Sequence, residues 1–269
     1  MKNYQYQETR KALSERIRIN RKYDNLNLRE WVGKKFNIKS RDKILDIGCG
    51  NGNFIDLFVK KVNSNGVVFG VDKNQALLNV IRKKHKDRIG NKNLFLKRLD
   101  FDCQNWNINH KFDWIFAIYS MYYTNNFPKL LGNLKNELSA KNGRIVIMGP
   151  GKQNALLLNK INYLVTKKKP GKVFLERSGR IDGEFYSVAK EMFGAKNVKK
   201  VRINSVTRFP DAATFADYYW STLLWRDSTE KLAVKQVALL REKTIQTLEK
   251  MKNNCLKKQV SCLIINNRG

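Results

Sequence analysis

Lys43-Ile44-Leu45-Asp46-Ile47-Gly48-Cys49-Gly50-Asn51-Gly52-Asn53-Phe54 joins a short apolar run to a glycine turn. Ile44, Leu45 and Ile47 suit a parallel strand covered on both faces, where an unbroken apolar run replaces strict alternation. Gly48, Gly50 and Gly52 supply backbone that turns tightly and lets a ligand approach without a side chain in the way. A dinucleotide fingerprint would place its third glycine one residue later, where this chain has Asn53. Asp46, just before the turn, would repel a pyrophosphate but suits the ammonium group of a zwitterionic amino-acid tail. A nicotinamide-dinucleotide fold is therefore disfavoured.

Four further blocks follow in order. Val67 to Asp72 reads as a second buried strand ending in an acid about twenty residues past the glycines, the spacing at which such folds hydrogen-bond a ribose. Leu94 to Leu99 runs into Asp100-Phe101-Asp102. Phe112 to Ile118 and Gly143 to Pro150 supply two more apolar strands. The acids fall at the carboxyl ends of successive strands, the edge along which open parallel sheets bind ligands.

Over roughly residues 40 to 150 this ordered set resembles the class I S-adenosylmethionine-dependent methyltransferases. The resemblance implies a doubly wound α/β fold with a mostly parallel seven-stranded sheet whose last strand inserts antiparallel, and S-adenosylmethionine as cofactor. It implies cofactor contacts from Asp46, Gly48, Gly50 and Gly52, from Asp72 to both ribose hydroxyls with Lys73 beside it, from Asp100 to the adenine amino group, and from Phe101 and Ile118 beside the ring. The segment Ala117-Ile118-Tyr119-Ser120-Met121-Tyr122-Tyr123 and the later Ile147 to Asn154 look like the "type 11" branch, which acts mainly on small molecules. Arg16 to Tyr23 and Phe209 to Ala212 also resemble members of that branch associated with natural-product or cell-surface sugar pathways.

Composition bounds the remainder. With 269 residues and 42% hydrophobic content, the chain suits one domain, 1–269, with a modest insertion. It divides into an N-terminal helical cover (1–40), a cofactor-binding core (41–150), an inserted cap (151–202) and C-terminal strands and helices (203–269). Apolar runs fall short of a membrane span and the start of the chain lacks the apolar centre of a secretory signal, so a cytoplasmic location is expected. Cys49, Cys103, Cys255 and Cys262 form no C-x-x-C pair, and with two histidines no zinc pattern assembles, so no metal is expected. Cys103 reads as a small buried hydrophobe near the adenine.

The formal net charge is +30, from 53 basic and 23 acidic residues. Its basic clusters are scattered, at residues 10–22, 82–86, 167–172, 196–202 and 250–258. A solvated surface explains scattered charge, while a field of this sign also attracts RNA, acidic surfaces or an anionic small substrate. Base-methylating enzymes that hold a flipped base use a proline-aromatic motif after the fourth strand, and this chain has none. Methylation of an RNA ribose or ring nitrogen needs no such motif and stands as the alternative to a small O- or N-nucleophile, anionic or sugar-like. A non-enzymatic binding protein on the same fold is the second alternative, disfavoured by the completeness of the acid and glycine set.

Three regions are candidates for the substrate pocket. Leu13, Ile17, Leu26, Leu28, Trp31, Val32 and Phe36 recur at loosely helical spacing before the first strand, with Tyr23 placed to reach the cofactor's amino-acid tail. The insertion carries Asn154, Arg177 and Arg180 among aromatics, a combination suited to an anionic or ring-bearing substrate. Asp211 to Trp225 reads as a helix capped by Asp211, with Tyr219 among aromatics that line a cavity or pack in the core. A long helix beginning near Ser228 and a last strand over residues 260–265 close the chain, with another strand near residues 199–206. Tyr119 and Tyr123, with Tyr122, follow the fourth strand at the reactive edge and are placed to orient the substrate. Neither His85 nor His110 sits where a catalytic base would.

Overall fold

In the computed structural model, described for residues 9–90, 93–102, 106, 108, 110–137 and 143–267, the chain alternates strands and helices. Helices α1 (Arg10–Tyr23) and α2 (Leu28–Lys35) precede β1 (Lys43–Ile47), followed by α3 (Ile55–Lys61), β2 (Val67–Asp72), α4 (Gln75–Lys84), α5 (Lys86–Gly90), β3 (Leu94–Arg98) and β4 (Trp114–Ile118). Then come α6 (Phe127–Glu137), β5 (Arg144–Pro150), α7 (Leu156–Thr166), α8 (Lys172–Arg177), a π-helical turn (Ile181–Phe185), α9 (Tyr186–Phe193) and β6 (Val198–Arg208). Helices α10 (Ala212–Trp220), α11 (Leu223–Thr229) and α12 (Val234–Met251) lead to β7 (Cys255–Asn266).

The strands form one sheet in the order β3-β2-β1-β4-β5-β7-β6. β1 to β5 pair in parallel, with Ile44 opposite both Val68 and Trp114. β7 runs antiparallel between β5 and β6. Because side chains alternate across a strand, Leu45 and Ile47 enter one core with Ile115, Ile145 and Leu263, closed by α6, the π turn and α9. Ile44 enters the opposite core with Val68, Phe116 and Met148, closed by α2, α3 and α4. Burial on both faces explains the unbroken apolar runs. The reversal of strand order between β1 and β4 opens the crevice where such sheets take ligands.

A third cluster lies outside the two sheet faces and joins Ile19, Leu158, Ile161, Phe215, Tyr219, Trp225, Leu248 and Leu256. The register shows what carries it. β5 ends at Pro150, which pairs with Val260, whereas β7 continues back to Cys255, paired with Arg208. The β6–β7 ribbon therefore overshoots the carboxyl edge of β5 by five residues, about 17 Å at the usual strand rise. Helices α1, α7, α10, α11 and α12 pack around this projection and form a cap over the ligand edge.

The strand boundaries expected near 199–206 and at 260–265 are thus extended, because the ribbon continues past the buried sheet. The expected 151–202 cap divides. Its first part, α7, joins the cap, while Ile181, Phe185 and Ala189 pack against the sheet. Ser228 belongs to α11, and the long helix begins at Val234. Among the described residues, no helix is long and apolar enough to cross a membrane and no group of three or more His, Cys, Asp or Glu side chains could hold a metal.

Candidate active site

The turn after β1 is built as its glycines require. Gly48, Gly50 and Gly52 have φ of +68°, +57° and +87°, the left-handed region that L side chains disfavour. A Cβ on Gly48 would stand 2.3 Å from Cβ of Ser120, so the turn after β4 presses directly on this one. A Cβ on Gly52 would lie 2.8 Å from Cγ1 of Ile81, making that glycine a packing residue between turn and α4. At Gly50 the added atom would meet only Leu13 at 3.6 Å, leaving the backbone open to a ligand.

Two buried carboxylates flank the turn. Asp72 accepts the N–H of Gly50 at 2.9 Å on Oδ2 and that of Asn74 at 2.8 Å on Oδ1. Each oxygen keeps acceptor capacity for a further donor. Burial raises its pKa, and the nearby Asp100 charge raises it further, against the lowering effect of the two backbone N–H groups and Lys73. Asp46 is 2% exposed and its Oδ2 has no hydrogen-bond partner. Burial, followed by repulsion from Asp72, pushes its pKa up to about 8. An orphaned, buried carboxyl beside an open glycine turn fits a cationic amino-acid tail, and the two remaining acceptor positions of Asp72 fit a ribose diol.

These groups open into a cavity of about 430 Å³ between the sheet edge and the cap, within the range of small-molecule sites. Its wall includes Asp46, Gly48, Gly50, Asp72, Phe101 and Ile118, with Lys73. The same wall carries aromatic and cationic side chains, Tyr119, Tyr122, Tyr123, Phe174, Tyr218, Arg177 and Lys258. Tyr119, directly after β4, has φ of +57° and is 39% exposed. A bulky residue in this conformation is a backbone outlier of the sort that clusters at ligand sites. The Arg177 guanidinium lies 5.1 Å from the centre of the Tyr123 ring. Asn154 lines the wall with its Oδ1 accepting the N–H of Gln259 at 3.1 Å.

Several expected contacts fall elsewhere. Tyr219 is fully buried in the cap, donating from its hydroxyl to Oδ1 of Asn162 at 2.7 Å, and its neighbour Tyr218 faces the cavity instead. Arg180 is also buried. Its Nη1 donates to the carbonyls of Tyr122 at 2.8 Å and Thr124 at 2.7 Å, while Nε and Nη2 pair with Glu184. It clamps the turn after β4 rather than a substrate. Tyr23 packs on the cap cluster, outside the described cavity wall, and Gly52 faces Ile81. Asp100 is exposed, with Oδ1 accepting the Asp102 N–H at 3.1 Å, and Phe101 is the member of that block in the wall. His85 contacts Asp56 at 2.8 Å and His110 is exposed against Phe69 and Phe95. Cys103 lies outside the described residues.

The sequence offers Tyr218 among aromatics that could line a cavity, but it does not mark Arg16, Asp24 or Lys258 as site residues, and all four stand in the cavity wall. One signal for Lys258 was present: it stands in phase with Leu256, Val260 and Cys262, a lysine on an otherwise apolar strand face. Asp24 carried none, since an acid just past a helix reads as a solvated cap.

A methyltransferase-domain family matches residues 38–191. The protein named "Probable cobalt-precorrin-6B C(15)-methyltransferase (decarboxylating)" in Saccharolobus solfataricus is 33% identical over 150 residues, which is 55% of this chain and 70% of that one. The chain spans about half the length of the next three curated relatives it matches. Among solved structures, the YcgJ protein of Bacillus subtilis shares the fold with a TM-score of 0.56 at 16% identity, covering 90% of this chain and 98% of that one. The plantazolicin methyltransferase BpumL in complex with SAH gives 0.51 at 14% identity, covering 96% and 90%. With the glycine turn, the paired acids and the strand order together, the chain belongs to this methyltransferase-domain family and is a class I enzyme that uses S-adenosylmethionine.

Proposed function

We propose that this enzyme methylates an oxygen or nitrogen of a small, ring-bearing, anionic molecule held between the sheet edge and the cap. The observation that carries this reading is one cavity whose wall joins the acids and glycines after β1 and β2 to aromatic and cationic side chains. S-adenosylmethionine supplies an electrophilic methyl group, so the chain's own task is to align a nucleophile and exclude water.

In this reading Asp72 holds the ribose hydroxyls, Asp46 faces the ammonium of the amino-acid tail, and Phe101 and Ile118 flank the adenine beside Lys73 and the exposed Asp100. Tyr119 and Tyr123 orient the acceptor and Arg177 attracts its charge, with Asn154 completing the wall. The cap supports a small acceptor over RNA, because buried side chains of Tyr122, Tyr123, Tyr218 and Leu224 close around the cavity. The relative from Saccharolobus is named for methylation of cobalt-precorrin-6B at C(15). The test is transfer of labelled methyl from S-adenosylmethionine to a fractionated metabolite extract and to total RNA, side by side at near-physiological salt to suppress nonspecific RNA binding. Label in an acidic metabolite fraction supports the reading, and label confined to RNA overturns it.

A further inference from the structure

Under the cap, Lys258 is already fixed in place by residues of α1 and its end. Its Nζ donates to Oδ1 of Asn20 at 2.8 Å, pairs with Oδ2 of Asp24, and lies 5.7 Å from the centre of the Tyr218 ring. Asp24 is committed on both oxygens. Oδ2 also accepts the Thr207 hydroxyl at 2.8 Å and the Ser205 hydroxyl at 3.4 Å, and Oδ1 accepts the Leu26 N–H at 2.8 Å. The Asp24 side chain is 3% exposed and that of Lys258 12%. Asp24 is thus a holder, with three protein donors on Oδ2 and one on Oδ1.

An ammonium carries three donors, and two of those on Lys258 are directed at α1 and its end. Lys258, Asn20, Asp24, Ser205 and Tyr218 all line the cavity. Packing alone gives little reason for such a pair, since well-packed apolar residues stabilise a buried position as well or better. Arg16 stands in the same wall, anchored by Nη1 to the carbonyl of Ser221. Arg16 and Asp24 share this wall with Tyr119, the residue that follows β4. Arg16 and Lys258 against Asp24 leave a positive balance, and Arg177 in the same wall adds to it, which suits an anion.

We propose that Lys258 binds the acidic group of the methyl acceptor, with Asp24 and Asn20 positioning it, and that the acceptor is a ring-bearing organic carboxylate. This rests on the methyl-transfer reading of the same cavity. The rings of Tyr119, Tyr122 and Tyr218 enclose the ring of the acceptor while the ammonium takes its carboxylate.

The experiment is calorimetric titration of the full chain, first with S-adenosylhomocysteine and then, with that product bound, with phenylacetate and its neutral isostere phenylacetamide. The wild type is expected to bind the acid about tenfold or more tighter than the amide, the scale of a desolvated charge contact. Lys258→Gln should bring the two within about twofold. The double variant Asp24→Asn/Lys258→Gln should do the same without leaving a buried carboxylate unpaired. Product affinity unchanged in both variants shows that the fold persists. Equal binding of acid and amide by the wild type, no binding of either, or discrimination that survives both variants overturns the assignment of Lys258. Loss of product binding in both variants makes Lys258 a structural residue and overturns it equally. Failure of the wild type to bind S-adenosylhomocysteine instead overturns the methyl-transfer reading itself.

Discussion

Gly50 donates its backbone N–H to Oδ2 of Asp72 across 2.9 Å, tying the turn after β1 to the end of β2. The two glycines nearest this bond differ in what surrounds them, and so should their alanine variants. Gly50→Ala places a left-handed alanine in open space, costing about 1–2 kcal/mol of stability, and its methyl group should weaken S-adenosylhomocysteine binding by at least about tenfold by occupying the approach to the ligand. Gly48→Ala adds to the same backbone cost a 2.3 Å collision with Ser120, and should lose about 3 kcal/mol or more. Urea denaturation and product-binding calorimetry on each variant separate the two losses.

With Asp46 facing the cofactor's ammonium group as proposed, cofactor binding should depend on pH. With its pKa pushed up to about 8 by burial, the carboxyl is mostly protonated at pH 7 in the free protein, whereas a bound ammonium favours its ionised form. Binding should release a proton below pH 8, and affinity should rise from pH 6 to 8 and level off above it, by up to about 1.4 kcal/mol per pH unit. Stability of the free protein runs the other way. The unfolded chain ionises near the ordinary aspartate value while the folded one does not, so stability falls as pH rises from about 4 to 8. Asp46→Asn should flatten both profiles and weaken binding. Calorimetry in buffers of different ionisation enthalpy counts the proton, and an affinity independent of pH in the wild type contradicts this.

Arg180→Met should cost about 3–5 kcal/mol, because it removes a buried guanidinium that satisfies two carbonyls of the turn after β4 and pairs with Glu184. Since Tyr122 and Tyr123 ride on that turn, acceptor methylation should fall further than cofactor affinity. Chemical denaturation together with product binding distinguishes this from a direct substrate contact, which would leave stability unchanged.

Adjacent tyrosines in α10 should respond in opposite ways to loss of the hydroxyl. Tyr219→Phe breaks a buried bond to Asn162 at 2.7 Å and should cost about 1–2 kcal/mol of stability with little change in acceptor binding. Tyr218→Phe should leave stability nearly unchanged and alter acceptor affinity, because that ring lines the cavity beside Lys258. Thermal melts and acceptor titrations on both variants check the pair.

The glycine turn and the acids at the strand ends were legible in the sequence because their determinants are local. A buried parallel strand demands an apolar run, and a left-handed turn demands glycine. An acid at a strand end lies at the ligand edge whatever the loops do. Asp46, Gly48, Gly50 and Asp72 therefore announce themselves by position in short segments, and the antiparallel last strand follows from the resemblance those segments support. The other half depends on distance in the chain. Asp24 and Lys258 meet across more than two hundred residues because the β6–β7 ribbon overshoots the sheet and carries one wall of the cap. Tyr218 and Tyr219 are equally aromatic neighbours, and only the packing of α10 against α1 and α12 turns one to the cavity and the other into the core. Arg180 sits among aromatics in the sequence as a substrate-binding arginine would, yet the backbone carbonyls that claim it become visible only when the turn after β4 is folded against the π turn. Local stereochemistry determined the fold and the glycine turn; the cap side of the cavity was decided by long-range packing that no short segment encodes.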